Sequence, residues 1–120
     1  MPQFAVLIHA DDSRHARSAT AEELRECDDH FDSLVSTGRM VLAYALTPRA
    51  EARSLRTDGP SDGPFRPDGH VIAGFYILEA ADIDEALHLA RKDPSLLTGG
   101  GIEVRPVHSG GTIRPPETSE

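Results

Sequence analysis

Residues 71–78, Val-Ile-Ala-Gly-Phe-Tyr-Ile-Leu, are apolar at nearly every position and constrain how the rest of the chain folds. The run has the length of a strand and is rich in β-branched and aromatic residues, so we predict a strand here. Successive residues of a strand point to opposite faces of its sheet, and in this run both sets are apolar. Residues 40–46, Met-Val-Leu-Ala-Tyr-Ala-Leu, have the same two-sided character. A sheet that contains both strands therefore has two faces to bury.

Two amphipathic helices are predicted on one of those faces. The first begins at Thr20, which forms a capping box with Glu23, and it ends at Gly38. The second is capped by Asp82 and ends at the Asp93-Pro94 pair. Apolar side chains recur at helical spacing in both segments. They are Leu24, Cys27, Phe31, Leu34 and Val35 in the first, and Ile83, Ala86, Leu87 and Ala90 in the second.

Three further strands complete the predicted order, at residues 4–8, 53–57 and 102–107, and the third of the five strands is expected at an edge. Residues 58–69 hold three Gly and three Pro, which is typical of a loop. The order is β-α-β-β-β-α-β. Right-handed crossovers place both helices on one face of one antiparallel sheet, which is an α+β, ferredoxin-like fold. No segment remains to cover the other face, so we predict a homodimer that buries it against a second copy.

The composition limits the domain organisation and the partners. A chain of 120 residues fits one core, and we assign it to residues 1–108, with a flexible tail of Gly, Pro, Thr, Ser and Glu at residues 109–120. A net charge of −8 disfavours nucleic acid as a partner. The apolar run near the N-terminus is too short for a membrane span or a signal peptide. With a single cysteine, Cys27, no intrachain disulfide forms, and we expect a cytoplasmic protein.

Familiar catalytic motifs are missing from the sequence. It contains no Gly-x-Ser-x-Gly elbow, Walker loop, dinucleotide-binding fingerprint or Cys-x-x-Cys pair. His9, Asp11 and His15 lie close together, but no fourth residue has metal-ligand spacing, so we predict neither a metal nor a cofactor. Cys27 lies in an apolar stripe and is best explained as packing. Tyr44 and Tyr76 lie within strands, where a phenol needs either a core partner or a ligand cavity.

Four motifs in register resemble those of one known family. They are Asp62-Gly63-Pro64-Phe65, residues 73–79 (Ala-Gly-Phe-Tyr-Ile-Leu-Glu), residues 82–87 (Asp-Ile-Asp-Glu-Ala-Leu) and residues 99–107 (Gly-Gly-Gly-Ile-Glu-Val-Arg-Pro-Val). Together they resemble the YCII-related, DGPF-type proteins over residues 4–107. The resemblance implies a dimeric α+β barrel. The chain departs from the family pattern after the Asp62-Gly63-Pro64-Phe65 signature. There, family members have an acidic-Thr-Lys-Glu stretch, and this chain has residues 66–70, Arg-Pro-Asp-Gly-His, with His70 in place of the usual glutamate.

The resemblance also implies a histidine–aspartate site. It assigns His30, on the first helix at the edge of the apolar stripe, and Asp62 as catalytic residues. We expect Tyr44, His9, His70 and Phe65 to line the substrate site. Most members of the family have no established activity, and a few resemble lyases or isomerases that act on small ring compounds.

Two classes of function therefore stay open. One is a cofactor-independent lyase or isomerase that uses His–Asp acid/base chemistry on a small organic substrate. The other is a non-catalytic module that binds a small ligand or a partner and has a regulatory role, because family members occur beside sigma factors. A closed pocket with a carboxylate within reach of His30 favours the enzyme, whereas a filled core with His30 in solvent favours the module.

Overall fold

The computed structural model describes residues 1–13, 20–97 and 99–111. Within these ranges the chain forms six strands, two α-helices and two short 3₁₀ helices, at Arg49–Glu51 and Pro94–Leu97. The bounds of the strands and α-helices, in chain order, are β1 Gln3–Ala10, α1 Ala21–Ser36, β2 Met40–Ala45, β3 Arg53–Arg56, β4 Gly59–Asp62, β5 Val71–Glu79, α2 Ile83–Ala90 and β6 Gly101–Pro106. The expected helices and the strands near residues 4–8, 40–46, 71–78 and 102–107 are all confirmed.

The main sheet has four antiparallel strands in the order β2-β5-β1-β6. The two central strands are therefore the apolar segments β1 and β5, and Val6 of β1 pairs with both Tyr76 and Val104 of its neighbours. This strand order, with a helix in each crossover, is that of the ferredoxin-like fold, so the predicted fold class is confirmed. The face that carries Val6, Tyr76 and Leu78 packs against both helices.

The predicted end of α1 and the predicted start of α2 agree with the structure. α2 ends at Ala90, ahead of the expected Asp93-Pro94 pair, and the Glu23 side chain of the predicted capping box lies outside the described part. Gly38 adopts a φ of 73° just after α1, a left-handed conformation that glycine tolerates. At the start of α2, Asp82 accepts a hydrogen bond from the backbone N–H of Glu85 at 2.8 Å. The carboxylate of Glu85 in turn accepts from the N–H of Ala81 at 2.9 Å and from Arg39 at 2.6 Å. Glu85 therefore ties the start of α2 to the loop before β2.

The third predicted strand lies elsewhere than expected. We placed it at an edge of the main sheet, but β3 pairs only with β4, in a separate two-stranded hairpin. The hairpin also converts the first part of the predicted loop at residues 58–69 into a strand. Its side chains explain the difference, because Leu55 is its largest apolar residue and is exposed. Such a strand gains little by joining a sheet through apolar contacts.

The apolar stripes of the helices are narrower than predicted. On α1, Leu34 is buried, whereas Phe31 and Val35 are exposed. His30, one turn before Leu34, consequently lies on the inward face of the helix rather than at its edge. On α2, Ala86 and Ala90 are buried, and Ile83 and Leu87 are exposed. The side chains of Leu24 and Cys27, residues 14–19 (with His15) and the tail from residue 112 lie outside the part that is described.

The sheet face opposite the helices is apolar across three strands. The register aligns these side chains in two rows, Leu42-Ile77-Ala5 and Tyr44-Phe75-Leu7. On β6, the residues that continue these two rows are charged. Arg105 lies beside Ala5, and Glu103 lies beside Leu7. Tyr44 is 61% exposed and Leu42 is also exposed. Among the described residues, no helix is both long and apolar enough to cross a membrane.

Candidate functional site

A cavity of 330 Å³ lies between α1, the helix-facing side of the sheet and the short turn that follows α2. Small side chains create it, because the strands contribute Ala10, Ala43, Ala45 and Gly74 where α1 crosses above them. Its volume is at the lower end of the range of about 300–1,000 Å³ that is usual for small-molecule sites. Phe31 and Leu34 of α1 form part of the opposite wall. The cavity is therefore mainly apolar and suits a small organic molecule.

His30 is a half-buried titratable side chain of α1 that lines this cavity. Its side chain is 11% exposed, and its Nε2 atom lies 3.5 Å from Oδ2 of Asp93. The described residues form no hydrogen bond to Nδ1, and no buried side-chain nitrogen among them lacks a partner. Nδ1 is therefore not fully buried. One ring nitrogen lies near a carboxylate, and the other has no hydrogen-bond partner among the described residues.

Asp93 is held in place by the turn between α2 and β6. Its side chain is 3% exposed, and its Oδ1 atom accepts hydrogen bonds from the backbone N–H of Ser95 at 3.0 Å and from the Ser95 hydroxyl at 2.8 Å. The backbone N–H of Asp93 donates to the carbonyl of Ala90 at 3.1 Å. With Oδ1 occupied by Ser95, Oδ2 is the atom that faces His30.

Burial and charge act on the two ring systems beside Asp93. Burial lowers the pKa of His30 below its ordinary value, and the negative charge of Asp93 opposes that shift. Burial also raises the pKa of the Tyr76 phenol, and the charge of Asp93 and the hydrogen bond to it act in the same direction. At neutral pH the site therefore holds a neutral imidazole next to a protonated phenol.

Two further carboxylates line the cavity, those of Asp12 and Asp28. Asp12 accepts hydrogen bonds from the backbone N–H groups of Ser13 at 2.8 Å and Arg49 at 2.7 Å. No group of three or more metal-ligating side chains occurs in the described ranges. The described wall thus combines apolar surface with one histidine and acidic side chains.

A family model for the YCII-related domain matches residues 3–109. The chain belongs to the YCII-related family. It is also similar to an uncharacterized protein of Rhizobium meliloti (strain 1021), with 30% identity over 115 residues, which covers 87% of this chain and 90% of that protein. The resemblance to YCII-related proteins read from the sequence is thereby confirmed.

The structure separates the predicted site residues of this YCII-related chain into two places. His30 lines the cavity, and Tyr44 borders it, although the Tyr44 side chain belongs to the exposed row on the sheet face away from the helices. His9, His70 and Phe65 line a different groove, beside the hairpin base and on the sheet face away from the helices. There, His9 lies 3.1 Å from Glu103, and His70 lies 3.3 Å from Asp11. The substrate-binding roles predicted for Tyr44, His9, His70 and Phe65 stay predictions.

Asp62 lies away from His30. It sits at the end of the hairpin, 92% exposed, with Oδ1 3.2 Å from Nε of Arg53. The carboxylate that meets His30 is instead Asp93, and the predicted catalytic role of Asp62 stays a prediction. The reason is topological, because the hairpin is separate from the main sheet that carries the cavity.

Sequence reasoning treated Asp93 only as the end of the second helix. The spacing of the sequence contained a signal that Asp93 faces inward. Intervals of four and three residues separate Ala86, Ala90 and Asp93. That spacing continues the buried face of α2, so a carboxylate on it is directed inward. Ser95, two residues further on, is a usual partner of an aspartate that forms a turn.

Proposed function

We propose that this YCII-related protein is an enzyme in which His30 moves a proton to and from a small organic compound bound in the cavity. The observation that carries the proposal is that His30 lines the cavity with Nε2 3.5 Å from Oδ2 of Asp93, while Nδ1 has no hydrogen-bond partner among the described residues. Asp93 orients the ring and stabilises the positive charge that forms when Nδ1 takes a proton. The proposed partner of His30 is thus Asp93.

The protonation state of His30 supports the direction of the transfer. Because burial lowers its pKa, the imidazole is neutral at neutral pH and is ready to act as a base. The nearby charge of Asp93 limits how far the pKa falls, so the ring still accepts a proton. Proton abstraction, isomerisation and elimination all use such a group and need no enzyme nucleophile.

The lining of the cavity indicates what kind of substrate fits. A cavity of 330 Å³ with Ala, Leu, Ile and Phe side chains takes a compact apolar body. The acidic groups of Asp12, Asp28 and Asp93 disfavour an anionic substituent close to them. We therefore expect a neutral carbon acid of small size, in which a C–H bond lies next to a carbonyl group.

A homodimer through the uncovered sheet face is part of the proposal. The two apolar rows on β2, β5 and β1 form a continuous surface that one chain leaves exposed or half-buried. A second copy of the same surface covers it without a new binding partner. Light scattering at micromolar concentration should give about twice the mass of one chain, 13.0 kDa. A mass of one chain would remove this part of the proposal.

The second candidate is a non-catalytic module that binds a small ligand. It is favoured by the largely apolar lining, since binding alone needs shape and apolar area more than a base. The two candidates differ in what His30 does. A base is required for turnover, whereas a binding site keeps most of its affinity when His30 is replaced by a side chain of similar polarity.

Hydrogen–deuterium exchange tests the proposal without a known substrate. A panel of small neutral ketones is incubated with the protein in D₂O, and exchange at the acidic C–H position is followed by NMR. We expect exchange with the wild type for at least one ketone that binds, and a loss of roughly 100-fold or more in His30→Gln. Ala43→Leu, which fills the cavity floor but leaves His30 in place, should also abolish exchange by excluding the ketone. Binding without exchange would favour the module.

A further inference from the structure

Asp12 lies just beyond the end of β1, on the side of the sheet that carries the cavity. Side chains of a strand alternate between the two faces, and Ile8, Ala10 and Asp12 follow one another at that period. All three line the cavity. Asp11, one residue earlier, pairs instead with His70 of the groove on the other face, at 3.3 Å. The proposed function uses Asp12 only as one of several acidic groups.

Hydrogen bonds from the backbone hold the Asp12 carboxylate in one orientation. Its Oδ1 atom accepts from the N–H of Ser13 at 2.8 Å and from the N–H of Arg49 at 2.7 Å. The second bond ties the carboxylate to the segment that follows β2. Two donors on one oxygen leave the group little freedom to rotate. The carboxylate is therefore oriented before any ligand binds, which lowers the entropy that binding costs.

The other oxygen, Oδ2, still has room for a hydrogen bond. In the described part of the chain, no residue donates a hydrogen bond to it, and Nε of Arg49 lies 3.9 Å away, beyond hydrogen-bond distance. The Asp12 side chain is 43% exposed, so a ligand can reach it. An ionised carboxylate only accepts hydrogen bonds. A ligand group that binds Oδ2 must therefore donate one.

Arg49 favours a neutral donor over a cation at this place. Its charge, 3.9 Å from Oδ2, offsets part of the negative charge of Asp12. Backbone carbonyls hold the guanidinium there: Nη1 donates to Pro67 at 3.2 Å, and Nη2 donates to Gly69 at 3.0 Å and to Asp11. A cationic ligand would meet this fixed positive charge. A hydroxyl group meets no such repulsion and still gains a hydrogen bond to an ionised acceptor.

His30 and Asp12 lie at different levels of the cavity. His30 is 3.5 Å from the hydroxyl of Tyr76, which pairs with Val6 of β1. Asp12 comes after Ala10, and the four residues from Val6 to Ala10 span roughly 13 Å of strand. Both side chains are several ångströms long and shorten this gap. A ring that carries one short substituent is long enough to contact both.

We propose that Asp12 is a specificity-determining residue that accepts a hydrogen bond from a hydroxyl group of the substrate, so that the substrate is a small hydroxy ketone. The inference rests on the proposed function for the ketone, whereas recognition of the hydroxyl is measured separately. The hydroxyl lies at the end of the molecule away from the C–H bond that meets His30. An apolar group in its place would remove water from Oδ2 and supply no donor.

Matched cyclohexanones test the inference by NMR titration of the full chain. In 4-(hydroxymethyl)cyclohexanone and 4-ethylcyclohexanone the shapes agree and only the hydroxyl differs. We expect the wild type to bind the hydroxymethyl compound roughly 5- to 20-fold more tightly, as one hydrogen bond to a partly exposed carboxylate provides. This preference should disappear in Asp12→Ala. Asp11→Ala is the matched control, because it removes the adjacent carboxylate, which is 89% exposed and pairs with His70, and it should keep the preference.

A second pair of ketones guards against an Asp12→Ala chain that does not fold. In 4-(methoxymethyl)cyclohexanone the oxygen has no hydrogen to donate, and 4-propylcyclohexanone has the same shape without the oxygen. The wild type should bind these two with similar affinity. A preference for the ether as large as that for the alcohol would overturn the inference.

Three other results would also overturn it. They are equal binding of the first pair, no binding of the hydroxymethyl compound at millimolar concentration, and a preference that survives in folded Asp12→Ala. Deuterium exchange without a preference for the hydroxyl would support the proposed function and contradict this inference. A preference for the hydroxyl without exchange would do the reverse, so the two failures are distinguishable.

Discussion

Replacing Asp93 by Asn removes the charge next to His30 with almost no change of shape. The Asn carbonyl can still accept both hydrogen bonds from Ser95, which hold the side chain in its turn. The amide group then occupies the place of Oδ2 and presents hydrogen-bond donors to Nε2 of His30 and to Tyr76. Nε2 must become an acceptor, so the hydrogen of the imidazole moves to Nδ1, which then no longer acts as the base.

The size of the effect follows from the 3.5 Å between Nε2 and Oδ2. At that distance, with an effective dielectric constant of about 20, Coulomb's law gives about 5 kcal/mol, or about 3.5 pKa units, as an upper bound. Water in the cavity and the sharing of the carboxylate reduce this value. We expect the pKa of His30 to fall by roughly 1–3 units in Asp93→Asn, because burial remains and the compensating charge is lost.

The assay is a ¹⁵N NMR titration of His30 in the wild type and in Asp93→Asn, with chemical denaturation to show that the variant is folded. Asp62→Asn is the control, because that carboxylate is exposed and pairs with Arg53. It should leave the titration of His30 unchanged. If Asp93→Asn leaves the pKa of His30 in place while Asp62→Asn shifts it, Asp93 is not the partner of His30 and Asp62 takes that role.

Three other predictions concern the free energy of unfolding. Gly100→Ala should destabilise the chain because a Cβ there overlaps the carbonyl oxygen of His9, whereas Gly101→Ala, with open space around its Cβ, should change the denaturation midpoint little. The pKa of His30 is lower in the folded chain than its ordinary value of 6.5. At pH values between the folded and the unfolded pKa, the unfolded state therefore binds more protons than the folded state. The stability due to this group is therefore present above pH 6.5 and is lost as the pH falls, and the pH dependence of urea unfolding should be weaker in His30→Gln than in the wild type. Leu78→Ala should lower the free energy of unfolding by about 2–5 kcal/mol, because Leu78 is fully buried in the core, and a loss under about 1 kcal/mol in the same assay would contradict that packing.

The fold was largely predictable from the sequence because its signals are local or periodic. The two-sided apolar pattern of residues 71–78 places β5 inside the sheet, and the Asp82 cap locates the start of α2. The hairpin of β3 and β4 was less predictable, since Gly and Pro at residues 59 and 60 favour a loop by composition, yet Gly59 and Pro60 pair with Arg56 and Leu55. Strand pairing of that kind depends on the partner strand, which composition does not reveal.

The candidate site was predictable only in part, because it depends on contacts between distant segments. His30 was found from helical spacing together with the family resemblance. From the sequence, Asp62 was assigned as the partner of His30. In the structure the partner is Asp93, which lies 63 residues after His30 in the chain. The depth at which His30 lies was also underestimated, since Phe31 and Val35 were counted as buried and are exposed. The orientation of a helix about its axis is set by the packing of the whole chain.

The pH dependence of exchange tests most directly whether His30 acts as a base in the cavity. The rate of deuterium exchange into a bound ketone and the NMR titration of His30 are measured on the same protein across the same pH range. We predict that the rate rises with pH along the deprotonation curve of His30, with a midpoint below its ordinary pKa. We also predict that this rise is absent in His30→Gln. A rate that does not follow the titration of His30, or that survives in His30→Gln, would contradict the proposed function.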